Sequence, residues 1–199
     1  MLTVKEVYEA IDAFAPFASQ ESWDNSGLLV GGMAQPADRI LTTLDISEAI
    51  VAQAVAEQVQ LVVAHHPVIF SPLKTLPPDS PVYQLAAHGI AAICVHTPLD
   101  MAPLGLNTFA HTLLEKPLAL QDTQEVLEPS WTDGRGFGWI DTSARTWTPQ
   151  TLAQTLQTAF GEVRYSAAER SIRKIAYCSG SAASMLELAA AKGCDALIT

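Results

Sequence analysis

Apolar residues at Val4, Val7, Tyr8, Ile11 and Phe14 recur at helical spacing behind a Thr3/Glu6 capping box, which predicts a helix over about 4–14. RILTTLD, 39–45, reads as a strand, and Ser47 then caps a helix running to about Gln58. A second apolar strand, 60–64, runs directly into His65 and His66. Ser80, Pro81 and Gly89 bracket a short helix, the strand 90–95 ends in HTPLD, and a helix over about 107–114 follows. The polar stretch 121–130 is the expected linker, and Thr148, Pro149 and Gly161 bracket another helix. Strands alternating with helices argue an α/β fold with a mixed or largely parallel sheet.

The alternation conceals a repeat. RILTTLDISEAIVAQAVAEQVQLVVAHHP and RKIAYCSGSAASMLELAAAKGCDALIT each run from a basic start through an apolar strand, a small or polar turn and a helix to a second apolar strand. The chain therefore reads as a duplicated α/β unit with mixed sheets and two intertwined halves, the first repeat over 1–120 and the second over 121–199. Laying Gln60 on Asp195 sets Thr199 opposite Ala64, one residue before the position equivalent to His65. A strand as apolar as DALIT at the chain end points to an incomplete second repeat; the alternative is a natural terminus tucked in as a last strand.

Composition narrows the function classes. The chain has 199 residues, 49% hydrophobic and 16% charged, a balance that suits a folded globular core. A formal charge of −10 with no basic run argues against nucleic acid. The acidic, helical start is unlike a signal peptide, and no apolar run approaches a membrane span, so a cytoplasmic protein with no membrane partner is expected. Cys94, Cys178 and Cys194 lack paired spacing and read as small buried hydrophobes in a reducing compartment, with a cysteine nucleophile as the remote alternative.

The candidate chemistry lies at two strand ends. Ligands in α/β folds collect at the carbonyl ends of strands, and there LVVAHHP delivers His65 and His66 while AAICVHTPLD delivers His96 and Asp100. Adjacent strand residues point to opposite sides, so two neighbouring cations suit His65 and His66 better than one. Imidazoles with a carboxylate form a donor set for zinc, iron or manganese, which Asp100 could bridge. The structural alternative is a hydrogen-bonded histidine pair. His88 and His111, in predicted helices, are assigned to structure. Asp45 either faces the metals or caps the next helix, and His96 either orients Asp100 or touches substrate. In SWDNSG, Trp23, Asp24 and Asn25 belong to a turn whose tryptophan packs on the core or walls a pocket. GRGFG, 134–138, lacks the helix of a phosphate loop and reads as a tight turn or strand bend.

Three segments, ESWDNSGLLVG (21–31), TLDISEAIVAQAVAEQVQLVVAHHPVIFSPLKTL (43–76) and VHTPLDMAPLGLN (95–107), closely resemble the NGG-one interacting factor three family, also called dinuclear metal-centre hexameric proteins or GTP cyclohydrolase type-two homologues. The resemblance implies a duplicated α/β unit, a homohexamer and two divalent metal ions held by five residues. Three of the five match His65, His66 and Asp100. The other two, a His and a Glu near the family's C-terminus, have no counterpart in this chain. Two functions follow as expectations: a dinuclear-metal-dependent hydrolase of a nucleotide or other small molecule, or a non-catalytic metal-binding interaction or regulatory ring.

Overall fold

The computed structural model describes residues 1–166 and 169–199. The chain divides into two compact units, Met1–Leu99 and Asp100–Thr199. The first contains α1 (Val4–Phe14), β1 (Gly27–Val30), β2 (Ile40–Thr43), α2 (Glu48–Ala56), β3 (Leu61–Ala64), α3 (Pro81–Ala87) and β4 (Ala91–Cys94). A short helix, α4 (Thr97–Met101), carries the chain into the second, which contains α5 (Leu106–Leu118), β5 (Glu125–Pro129), β6 (Gly136–Trp147), α6 (Pro149–Phe160), β7 (Ile172–Tyr177), α7 (Leu186–Ala191) and β8 (Ala196–Ile198). Among the described residues, no helix is long and apolar enough to cross a membrane.

The first sheet has the order β1-β4-β3-β2, with β4, β3 and β2 parallel and β1 antiparallel at the edge. β3 and β4 are buried almost throughout, as parallel strands covered on both faces must be. Val51 and Ala54 of α2 and Leu85 of α3 close one core with Val62 and Ala92. Every cap read from the sequence forms: Thr3 and Glu6 make the reciprocal box, and the Ser47 and Ser80 side chains accept from Ile50 and Tyr83.

The second sheet, β5-β6-β7-β8, is also mixed, since β8 lies parallel to β7 and the other pairs are antiparallel. Alternate residues divide its two faces. Trp139 and Ile175 pack on one side with Leu114, Leu118 and Leu152, while Ile140 and Ala176 pack on the other with Ala189 and Cys194. The expected division at 120/121 therefore moves to Leu99/Asp100, because the helix read as closing the first repeat buries its apolar face in the second unit. The expected linker 121–130 is not a plain connection either, for it contains β5. Gly138 bends β6 with φ of 64°, and a Cβ there would meet the Tyr177 carbonyl, which accounts for GRGFG as a strand bend.

The repeat is real down to its hydrogen bonds. Gln60 uses Oε1 to accept the Asp38 and Arg39 amides at 2.9 and 3.1 Å, and its own amide donates to the Arg39 carbonyl. At the matched position, Asp195 Oδ2 accepts from the Arg173 and Lys174 amides at 2.9 and 3.0 Å, and its amide donates to the Lys174 carbonyl. Each unit thus ties the start of its first repeat strand to the start of its second with one side-chain oxygen. The helix exits match as well, turning through left-handed Gln58 and Gly193.

His111 proves to be a structural histidine. It bonds Asp141 at 2.8 Å, and both are buried. Burial alone would raise the Asp141 carboxyl, but Thr123, His111 and the Thr142 and Thr123 amides together hold it below its ordinary range. A folded-state pKa below the unfolded one contributes stability that is complete at neutral pH and lost as pH falls from about 4 through the folded value. Asp141→Asn is therefore expected to shallow the decline of Tm below about pH 4. Identical acid limbs for the two proteins in a calorimetric pH series would contradict this.

Candidate metal centre

Strand register brings the histidines together. Ala64 lies opposite both Thr43 and Cys94 in the parallel ladders, so 44–45, 65–66 and 95–96 leave the sheet at one level. Gly27 pairs with Cys94 in the antiparallel ladder, so the residues just before β1 meet those just after β4. Backbone bonds extend the order past the strands: the His65 and His66 amides donate to the Thr43 and Leu44 carbonyls, and the His96 amide to Ser26 Oγ.

The ring centroids of His65, His66 and His96 lie 4.9, 5.1 and 5.7 Å apart. One donor atom from each falls within 4.8 Å of the others, and all three residues are half-buried. Among the described residues, this is the group of three or more His, Cys, Asp or Glu that converges in such a way.

Each ring is oriented through Nδ1. His65 Nδ1–H donates to the Val95 carbonyl at 3.0 Å, and since a carbonyl only accepts, the proton's position is fixed. His66 Nδ1 meets Asp45 Oδ1 at 2.7 Å, and His96 Nδ1 meets Asp24 Oδ1 at 2.9 Å. All three contacts place the proton on Nδ1 and the lone pair on Nε2, the arrangement typical of imidazoles that ligate a metal. Three imidazoles oriented through Nδ1 in this way fit zinc, iron or another borderline divalent cation.

Asp24 is the residue missed by the sequence reading, which placed it in a turn and gave it no role. Its side chain is fully buried. Besides His96, it accepts from Thr97 Oγ1, the Thr97 and Asn25 amides and Ser26 Oγ. Burial opposes its charge, but His96, Thr97 and the Asn25 and Thr97 amides outweigh burial and hold the carboxyl well below the usual range. It is therefore a permanent anion beneath His96. Cys94 is no ligand of this kind: burial first, then the Asp24 charge, pushes its thiol up to about 12, and its Sγ–H donates to the His65 carbonyl at 3.0 Å.

The other expected residues separate into roles. Asp45 orients His66 and does not cap α2, whose cap is Ser47. His96 stands inside the cluster. Trp23 sets its ring edge-on to His96 with centroids 5.9 Å apart, and Asn25 Nδ2 donates to the Ile69 carbonyl. Asp100 belongs to the second unit, where its carboxylate accepts from Ser179 Oγ at 2.9 Å and its carbonyl from Asn107 Nδ2.

Fold and cluster together define a duplicated α/β protein with an imidazole triad at the carbonyl ends of a mixed sheet. A sequence profile for Duf34/NIF3 (NGG1p interacting factor 3) matches residues 2–199, and the chain belongs to this family. It is 32% identical over 214 aligned residues to a Streptococcus pneumoniae protein named GTP cyclohydrolase 1 type 2 homolog, covering 100% of this chain and 76% of that one. A Bacillus subtilis protein of the same name is 35% identical over 133 residues, 65% of this chain, and the match spans only 34% of the relative's own length. Among solved structures, a Bacillus cereus protein related to NIF3 superposes with a TM-score of 0.87 at 17% identity, covering 99% of this chain and 81% of that one.

Asp24→Asn replaces one acceptor oxygen with a donor that cannot hold the protonated Nδ1 of His96. The expected result is a 10- to 100-fold loss of zinc affinity in chelator competition, with the circular dichroism spectrum retained. Unchanged affinity would reduce Asp24 to a turn residue.

Proposed function

We propose that the chain is a metal-dependent hydrolase of a small molecule, with His65, His66 and His96 as imidazole ligands of a divalent centre. The observation that carries this reading is the shared tautomer: three rings from two strand ends each commit Nδ1 to an oxygen acceptor. A hydrogen-bonded structural pair needs no third ring and no buried anion dedicated to it.

When bound, a divalent cation supplies Lewis acidity towards water and towards an electrophilic carbon or phosphorus centre. The chain's own residues hold and orient. Asp24 keeps His96 basic at Nε2, the Val95 carbonyl does the same for His65, and Asp45 does so for the more exposed His66. The dinuclear form of the centre, with two adjacent cations sharing these imidazoles, is what the family resemblance implies. The family resemblance supplies Asp100 as the carboxylate ligand, the homohexamer as the assembly and the cytoplasm as the compartment. The names of the relatives suggest a nucleotide such as GTP as substrate.

Metal content by inductively coupled plasma mass spectrometry tests the centre. About two metals per chain are expected after dialysis, falling to near none in His65→Ala/His96→Ala. Metal-loaded protein is expected to turn over at least one member of a panel of nucleotides and phosphoesters, and the double variant none. A filled site without turnover would mark a binding or regulatory protein, while equal metal content in parent and variant would remove the centre itself.

A further inference from the structure

We propose that Trp23 and Phe70 form a stacking wall for a planar nitrogen heterocycle seated at the edge of the histidine cluster, an assignment that rests on reading the cluster as a reaction centre. The two side chains are 57% and 54% exposed, so burial does not account for their placement. Their rings nevertheless meet, with centroids 6.2 Å apart and planes inclined at 49°. Trp23 also sets its ring perpendicular to His96. An aromatic surface thus runs from solvent to the imidazoles.

The chain behind both rings is tethered. Trp23 directly precedes Asp24, whose carboxylate holds His96 and Thr97, while Phe70 directly follows Ile69, whose carbonyl is held by Asn25. One tripeptide, Trp23 to Asn25, therefore supplies a wall, orients a ring of the cluster and tethers the second wall. Side chains ordered this way while open to solvent are pre-organised contact area, and a flat π system is the occupant that gains most from two inclined aromatic faces. Such an occupant would carry the polar edge of its ring towards His96. A protein partner on the same surface would have to desolvate the His66–Asp45 pair, whose side chains are 45% and 64% exposed.

The test is equilibrium binding of adenosine, guanosine and cytidine, with ribose as the base-free control, to the 199-residue chain and to Trp23→Ala/Phe70→Ala and Trp23→Phe. At least one nucleoside is expected to bind where ribose does not, about tenfold to a hundredfold more weakly in the double variant, with Trp23→Phe keeping most of the affinity and zinc content unchanged throughout. Nucleosides that bind no better than ribose, or bind the double variant as well as the parent, would overturn the assignment. So would a double variant that changes molar mass in light scattering without changing nucleoside binding, since the pair would then be a contact between copies. Loss of zinc from His65→Ala/His96→Ala with nucleoside binding intact would uphold the wall, and retention of zinc there would count against the metal centre alone.

Discussion

The cluster depends on register. Because β2, β3 and β4 are parallel with Thr43, Ala64 and Cys94 level, the residues that follow each strand emerge side by side, and antiparallel β1 brings 24–26 to the same edge. A one-residue slip in any ladder would turn that strand's side chains to the opposite face and take a ring or its orienting carboxylate away. Burial favours this register: β3 and β4 have hardly any exposed side chains, and Leu61, Val62, Ile93 and Cys94 are all kept from water in it.

From that constraint the chemistry follows with little added. Backbone pairing carries on just past the strands, so the polar side chains there project from set positions, and the three imidazoles take up the available oxygens: one carbonyl and two carboxylates. Asp24 contributes most, since a fully buried anion with several donors around it cannot turn away from His96. Asp45 is exposed, so His66 is held more loosely. The site is therefore built with two firmly set rings and one adaptable ring.

Much of this was legible in the residues. The capped helices, the apolar strands and the internal duplication all follow from local pattern, and Gln60 with Asp195 shows that the alignment of the repeats was right to the residue. His65, His66 and His96 stood out because imidazoles at the ends of apolar strands have few structural uses. Asp24 did not stand out, because its partner is 72 residues away and reaches it only through an antiparallel pairing that local periodicity does not encode. The boundary between the units was hidden for a related reason. Leu114 and Leu118 give α5 an apolar face, but a helix's periodicity does not say which sheet that face will cover.

The most direct test is anomalous diffraction at the zinc edge from crystals of the zinc-loaded chain. Density within bonding distance of Nε2 of His65, His66 and His96, with each Nδ1 still on Val95, Asp45 and Asp24, is the predicted result. Zinc bound elsewhere, or bound through Nδ1 with those three contacts broken, would contradict it.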